Sequence, residues 1–549
     1  VSQAKLTAEW GIEGGWKQAV EKDIHRCFVT YRCLKHVPAS EYSKAAKSYG
    51  NRAEILNIVT VFKYKRDGAG VFTKRTMRIT VADKNDGQPV AVETTSSNVD
   101  SQSVRLLAQL TVELDADASY SDVPGAYYRG DPVPPEEGGR ALFLRVPKDW
   151  GEFGYPRTRS DGTSMLIRAT GNMPGIREAG ATWQRCYDAF LKGSCGMTQS
   201  FVDRRVFYRT DETGILVVGV HVDDNWRTCT SKSLGAEFDA LWSKEFGAQT
   251  EGEDRTFCGV SYEKLGDGAI AISSQKVIHD LALKLEGHPQ PRGASRDSPM
   301  AANGLSRLKA PPGAGNPLMP GHVLSLGRSI VGSIGWITTA TRPDGHFAFV
   351  ALSQSLGLNF TLEAWNAVLR LSYYLVDTKD LKLTYRKSRE GEACSAWCDS
   401  SSCNWLAGES YGGFGFGWPG SGLIGWRCMV PRRLTDSSWG AELILATVVM
   451  KAILALRLQL REIDRSVDMP TVVYMDASAV LLGRQAEHLS RNSRYMAARY
   501  AMIREAEQAL ALSYVKILGT VNVADLFSKP LVGKAFKLMR GMALGLTEQ

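Results

Sequence analysis

Two adjacent aspartates, Asp223 and Asp224, close a nearly continuous apolar run, Ile215-Leu216-Val217-Val218-Gly219-Val220-His221-Val222. Such a run reads as a strand buried on both faces. Burying a carboxylate is expensive, so an Asp-Asp step at its end calls for a cation, a hydrogen-bonded turn or solvent. With a cation, the pair presents ligands to Mg2+, and two such ions ~3.5–4 Å apart can clamp the attacking and leaving oxygens of a phosphoryl transfer. Taken alone, an Asp-Asp pair is more often a solvated turn. A second acidic set lies further on. Asp399 ends Ala396-Trp397-Cys398, and Glu442 opens an apolar helix after Ser438-Trp439-Gly440-Ala441. Asp476 ends Val472-Val473-Tyr474-Met475, and Asp525 lies within Asn522-Val523-Ala524-Asp525-Leu526-Phe527-Ser528-Lys529-Pro530. Converged, these four carboxylates could hold two divalent ions for phosphodiester hydrolysis by water. Singly, each is more often a strand-end cap or a surface acid.

The elements that must position these groups are partly legible. Val206 to Arg209 and Ile215 to Val222 flank Thr210-Asp211-Glu212-Thr213-Gly214, a hairpin signal. An earlier hairpin, rich in basic residues, runs from Ile58 to Lys65, through Asp67-Gly68-Ala69-Gly70, and back from Val71 to Val81. Residues 10–60 are otherwise mixed and lean to helix. Residues 288–322, rich in Pro, Gly, Ser and Asn, read as a long loop. Residues 324–388 read as helical, with Trp336, Trp365 and Tyr373 as core anchors. Strand-like stretches at 393–398, 412–418 and 423–429, a helix from about 438, a strand at 471–475 and a helix at 492–509 predict an α/β unit with a mixed sheet.

The 549 residues exceed what one core supports, so three or more units are expected. A formal charge of +8 favours polyanionic partners. Ten cysteines without framework spacing fit a reducing, intracellular setting. No apolar run reaches the ~18 residues of a membrane span. The longest, Leu443 to Leu456, is interrupted by Lys451 and reads as a buried helix, so no membrane partner is expected. The start, Val1-Ser2-Gln3, reads as a processing site or a cut edge.

In order and spacing these segments resemble the reverse transcriptase and ribonuclease H portion of copia-type LTR-retrotransposon polyproteins. The family hairpin reads Tyr/Phe-Val-Asp-Asp; here His221 takes the first place. Asp122-Val123-Pro124-Gly125-Ala126-Tyr127-Tyr128-Arg129-Gly130 is similar to the segment holding a third metal-binding aspartate. Asp115 and Asp117 compete for that role, but only Asp122 is followed by Val and, five positions on, by an aromatic. The resemblance makes Tyr127 the gate that rejects a 2′-hydroxyl. Pro174-Gly175-Ile176-Arg177-Glu178-Ala179-Gly180-Ala181-Thr182-Trp183 is similar to the family's Gly-Leu-Lys-Gln-Ala-Pro-x-x-Trp helix, with Glu178 and Gly180 as departures. It implies substrate contacts from Gly175 and Arg177. Phe62-Lys63-Tyr64-Lys65-Arg66 and Arg78 resemble fingers strands, which implies triphosphate contacts from Lys65 and Arg78. Phe257-Cys258-Gly259-Val260 is similar to the segment that grips the primer, and Thr341-Arg342-Pro343-Asp344 to the region beyond the palm.

Asp399, Glu442, Asp476 and Asp525 resemble the Asp-Glu-Asp-Asp set of ribonuclease H, and Ala524 to Leu531 is like the copia-type ending. No histidine directly precedes Asp525, where cellular ribonucleases H carry a mobile one. The resemblance implies an α+β multidomain chain: a right-hand polymerase (fingers, palm, thumb/connection) followed by an α/β ribonuclease H-like domain. The expected division is fingers and palm 1–265, thumb/connection 266–389, ribonuclease H 390–535 and a C-terminal tail 536–549. The implied function is RNA- and DNA-templated DNA synthesis with degradation of the RNA strand of hybrids, using two Mg2+ per active site or Mn2+ in their place. The implied partners are RNA template, DNA primer, RNA–DNA hybrid and dNTPs, with a homodimer among the expectations. The implied location is intracellular, in cytoplasmic virus-like particles or the nucleus. Its rivals are a non-enzymatic nucleic-acid-binding descendant and an active nuclease with a degenerate polymerase.

Overall fold

The computed structural model describes residue 6 and residues 8–11, 15–66, 72–83, 93–247, 256–291, 297–357, 359–389, 392–401, 411–430, 438–465, 467–488 and 491–546. In chain order the strands are β1 (Leu34–Pro38), β2 (Ala53–Arg66), β3 (Phe72–Ala82), β4 (Asp117–Asp122), β5 (Ala141–Arg145), β6 (Met165–Ala169), β7 (Thr198–Gln199), β8 (Val206–Asp211), β9 (Gly214–His221) and β10 (Asp224–Cys229). After them come β11 (Thr256–Phe257), β12 (Val260–Lys264), β13 (Ile270–Ser273), β14 (Leu383–Tyr385), β15 (Ser395–Ser400), β16 (Gly412–Gly417), β17 (Gly425–Met429), β18 (Thr471–Met475) and β19 (Leu512–Lys516).

Among the described residues these strands make four sheets, ordered β1-β6-β5-β2-β3, β4-β10-β9-β8-β7, β11-β12-β13-β14 and β17-β16-β15-β18-β19. The basic hairpin is β2–β3; its expected turn at 67–70 lies outside the described residues. In the fourth sheet β15 runs antiparallel to β16 and parallel to β18.

Strand β9 shows why its sequence is almost uninterruptedly apolar. Leu216, Val218 and Val220 join one core with Trp183, Phe207 and Trp242. Val217 joins another with Leu107 and Trp226. Successive side chains point to opposite faces, and both faces are covered. Helix Ser101–Glu113, buried from Ser103 to Val112, contributes to the second of these cores.

Helices Gly321–Ala340, His346–Ser353 and Leu362–Asp377 follow the third sheet's first strands. Between the first two, Arg342 donates to Asp344 at 2.9 and 2.8 Å and to the Thr378 carbonyl at 2.9 Å. The Arg342-Pro343-Asp344 motif is thus a buried bidentate ion pair that ties this turn to the end of the third helix. Of the expected anchors, Trp365 is buried, while Trp336 and Tyr373 are only partly so. The expected loop at 288–322 contains a short helix, Gly304–Leu308.

One sequence expectation holds and one needs correction. Helix Ser438–Glu462, at 25 residues, is long and apolar enough by composition to cross a membrane, yet it is the buried helix expected over Leu443 to Leu456. It is the core helix of the fourth sheet's layer, with Leu443, Ala446, Val449, Met450 and Ile453 buried and Lys451 exposed. The stretch 536–549, expected as a tail, mostly belongs to helix Gly533–Leu544. Phe536 packs edge-on against Tyr374, and the Ala543 carbonyl accepts from the Leu423 amide at 3.0 Å.

One hydrophobic core runs from helix Ser101–Glu113 through the three helices and the fourth sheet to Leu544. Arg105 is the polar joint inside it. Its guanidinium donates to the carbonyls of Thr339 (2.6 Å) and Ala340 (3.1 Å) at a helix C-terminus and to that of Ile424 (2.5 Å). It also stacks 3.9 Å from the ring centroid of Trp426, whose indole donates to the Thr338 carbonyl at 3.0 Å. A cation at a helix C-terminus complements the helix dipole, and the ring face adds to the attraction. Arg105→Ala should lower stability by about 3 kcal/mol, because three carbonyls lose a charged donor in a dry site. Denaturant unfolding checks this, and a loss within ~0.5 kcal/mol, the range of ordinary surface changes, would reject the joint.

Candidate active sites

The first site is made by three strand ends. In the β4–β10 ladder Asp122 is opposite Asp224, and in the β10–β9 ladder Asp224 is opposite His221. Asp223 lies in the turn between β9 and β10, and its carbonyl accepts from the Val123 amide at 2.9 Å. The carboxylates of Asp122, Asp223 and Asp224 each bring an oxygen within 4.8 Å of the others. Register brings Asp122, rather than its neighbouring aspartates, beside Asp223 and Asp224. Asp117 pairs with Cys229 at the far end of β4, and Asp115 is paired with Lys387.

The turn is strained and braced. Val222, a β-branched residue, has φ of +52°, a conformation that costs such residues energy. The Trp183 indole donates to the Val222 carbonyl at 2.6 Å and fixes the turn from beneath. Sequence reasoning used Trp183 only as part of a motif and missed this role.

Burial, then the charges of Asp223 and Asp122, push Asp224 up to about 7. Asp122 is also raised, by desolvation and by Asp223, while Lys65 and Arg78 pull it down. Lys65 and Arg78 therefore lie within electrostatic reach of the cluster from the β2–β3 hairpin. Tyr127 is raised by desolvation and by Asp223, with Arg78 opposing, so it lies within electrostatic reach of the same group. The Cys258-Gly259 turn joins β11 to β12, and burial and then Asp224 raise the Cys258 thiol. That turn too is near the carboxylates.

In the loop 174–178 the charged side chains have partners within the protein. The Arg177 guanidinium is 3.0 Å from Asp83 and 3.9 Å from Glu54, so it is committed to an ion-pair network. Arg140 sits at the centre of that network, 2.5 Å from both Asp83 and Glu178. The departure at Glu178 thus has a partner, since a buried carboxylate answers a buried guanidinium. Gly175 has φ of +93°, and a Cβ there would stand 2.2 Å from the Val81 carbonyl oxygen. Only glycine lets this loop approach β3 so closely.

The second site lies at the ends of two parallel strands. Cys398 is in register with Met475, so Asp399 and Asp476, each the next residue, fall side by side. Glu442, near the start of helix Ser438–Glu462, completes a group whose oxygens lie within 4.8 Å of one another. Glu442 accepts from the Ser400 amide at 3.0 Å through Oε1, while its buried Oε2 has no hydrogen-bond partner among the described residues. Burial, then Asp399, pushes Glu442 up to about 8. Asp525 opens a short helix, Asp525–Ser528, which reaches β16 at Gly413, where a Cβ would stand 2.2 Å from that of Phe527. Asp525 is pushed up to about 6 by burial and then by Asp399. Ser528 donates to Asp399, and Lys529 is 2.9 Å from Asp525 and 3.4 Å from Asp399. From sequence Lys529 stood only as part of the Ala524 to Leu531 motif, without a partner, and Ser528 had no assigned role. An orphaned carboxylate oxygen among like charges fits a divalent cation, and so does the all-oxygen donor set of both groups.

These sheets and sites define an α+β multidomain polymerase fold followed by a ribonuclease H-like domain. No protein-family profile matches the chain. It is 25% identical over 491 residues to the retrovirus-related Pol polyprotein from transposon TNT 1-94 of Nicotiana tabacum, covering 87% of this chain and 35% of that protein. It is 25% identical over 454 residues to the Pol polyprotein from transposon RE2 of Arabidopsis thaliana, covering 81% of this chain and 29% of that protein. The chain is similar to these plant retrovirus-related Pol polyproteins and spans about a third of their length. In structure it is similar to a foamy viral protease–reverse transcriptase in complex with double-stranded DNA, with a TM-score of 0.50 and 12% identity, over 91% of this chain and 69% of that one.

Two measurements test the geometry. Trp183→Phe keeps the ring and removes the donor, and should cost about 1–2 kcal/mol of stability; an unchanged denaturation midpoint would reject the brace. The acids raised to about 6, 7 and 8 bind their protons more tightly folded than unfolded. Their stabilisation is complete below the ordinary carboxylate range near 4 and is lost as pH rises through those values. In EDTA, wild type should therefore lose stability relative to Glu442→Gln between about pH 4.5 and 8.5, and Mg2+ should restore it. Parallel pH profiles of the two proteins would contradict the shared burial of charge.

Proposed function

We propose that the chain is a retroelement reverse transcriptase with ribonuclease H activity, copying RNA and DNA templates and degrading the RNA strand of the hybrid. The observation that carries this reading is the pair of carboxylate groups, Asp122/Asp223/Asp224 and Asp399/Glu442/Asp476, each gathered within 4.8 Å at strand ends of separate sheets. Homology to Pol polyproteins supports it. The functional division proposed is fingers and palm 1–265, thumb/connection 266–389 and ribonuclease H 390–535.

At the first site Asp122, Asp223 and Asp224 would hold two Mg2+, or Mn2+. When bound, such ions activate the primer hydroxyl and neutralise charge on the leaving pyrophosphate. Lys65 and Arg78, both near Asp122, face the triphosphate of the incoming dNTP. Tyr127, within electrostatic reach of Asp223, underlies its sugar, and the Gly175 turn is proposed as a further substrate contact. At the second site Asp399, Glu442, Asp476 and Asp525 would hold the ions that serve hydrolysis. Template, primer and hybrid are gripped mainly through phosphates. A homodimer, and action inside the cell in particles or the nucleus, belong to the same proposal.

The decisive experiment pairs primer extension on an RNA template with cleavage of an RNA–DNA hybrid. Asp223→Asn should abolish extension and spare cleavage, and Glu442→Gln should do the reverse. Loss of both activities in either folded variant would refute two independent centres. Cleavage without extension by wild type would favour a nuclease with a degenerate polymerase, a reading suggested by His221. A second prediction concerns sugar choice. Tyr127→Val should shift the dNTP/rNTP ratio of kcat/KM toward rNTP by about two to three decades, as a relieved clash of ~3–4 kcal/mol implies. An unchanged ratio at unchanged folding removes Tyr127 from the pocket.

A further inference from the structure

Lys529 is the one cation bridging two acids of the second group among the described ion pairs. Its position follows from local sequence. Pro530 disfavours helical backbone in the residue before it. Lys529 accordingly leaves the short helix in an extended conformation, φ −150° and ψ 156°. Its side chain folds back one turn to Asp525 and across to Asp399. The side chain remains 40% exposed, so the ammonium has a path to water. Asp399 also accepts from Ser528, a neutral donor that stays when the ammonium leaves.

We propose that Lys529 is a counter-ion built into the second carboxylate centre: it competes with divalent ions for Asp399 and Asp525 and, once displaced, supplies the positive charge that draws in the scissile phosphodiester. The proposal rests on the nuclease reading above. The argument is one of charge. Four carboxylates just balance two divalent cations and leave no net attraction for an anionic phosphodiester. An ammonium tethered at the rim restores one positive charge where the substrate must approach. Before ions bind, the same ammonium offsets the mutual repulsion of Asp399 and Asp525. Lys529 is thus a positioning residue that trades metal affinity for substrate affinity.

The test uses the full chain carrying Asp223→Asn, which silences the first centre. Mn2+ binding is titrated by electron paramagnetic resonance, and hybrid cleavage is measured as kcat and KM, for Lys529, Lys529→Met, Lys529→Gln and Lys529→Arg. Losing a competing charge at this distance should tighten Mn2+ binding by about tenfold in the Met and Gln variants. The KM for hybrid should rise several-fold in both, and Lys529→Arg should stay near wild type in both readouts. A purely structural lysine predicts weaker Mn2+ binding and a lower Tm. Mn2+ binding no tighter in the neutral variants overturns the counter-ion role whatever cleavage does. If the Lys529 chain cleaves no hybrid, the nuclease reading fails, while the Mn2+ comparison still decides whether Lys529 competes with metal.

Discussion

Holding three carboxylate oxygens within 4.8 Å of one another, twice in one chain, requires the fold to work against both desolvation and like-charge repulsion. Much of the architecture answers that requirement. The acids sit at strand ends and a helix start, where rigid ladders set their spacing. Cations stand close by, Lys65 and Arg78 at one site and Lys529 at the other. The charge that remains shows as carboxylates raised to about 6, 7 and 8. A divalent cation relieves the same repulsion, so the repulsion within each group becomes affinity for metal.

Rigidity around the sites comes from buried polar joints rather than from apolar packing alone. Arg105 ties helix Ser101–Glu113 to a helix C-terminus and to Trp426 of the fourth sheet. Arg342 and Asp344 close a turn beneath it, and Arg140 knits Glu54, Asp83 and Glu178 in the first sheet. A buried guanidinium accepts only a few geometries, because each lost partner leaves a desolvated charge. These joints therefore specify how layers meet. The fourth sheet accordingly shares one hydrophobic core with the helices before it.

The short-range features of the chain were readable because their causes are short-range. The apolar run of β9 followed from its two covered faces, and the basic hairpin from its alternation. The order of strands and helix after residue 390 was likewise visible in local periodicity. Strands such as β1 (Leu-Lys-His-Val-Pro) and β19 (Leu-Ser-Tyr-Val-Lys) were not, because five-residue edge strands carry too little pattern to stand apart from loop. Helix Gly533–Leu544 was hidden for a related reason: its apolar face packs on Tyr374, and its last turn hydrogen-bonds the Leu423 amide, both distant in sequence.

For the sites, residue type by itself marked the acids that could act, at strand ends and a helix start, and the order of the motifs grouped them. Which acids do meet was a matter of register. Asp122 rather than Asp115 or Asp117 stands opposite Asp224, and the Cys398–Met475 pairing sets Asp399 beside Asp476. Tertiary structure alone withdrew Arg177 into a pair with Asp83, gave Glu178 its guanidinium, set Trp183 under the Val222 turn and brought Lys529 to Asp399. Sequence carries the chemical capacity of a side chain. Its partner is chosen by contacts between residues remote along the chain, where Coulomb and hydrogen-bond energies depend on distances that only the folded backbone sets.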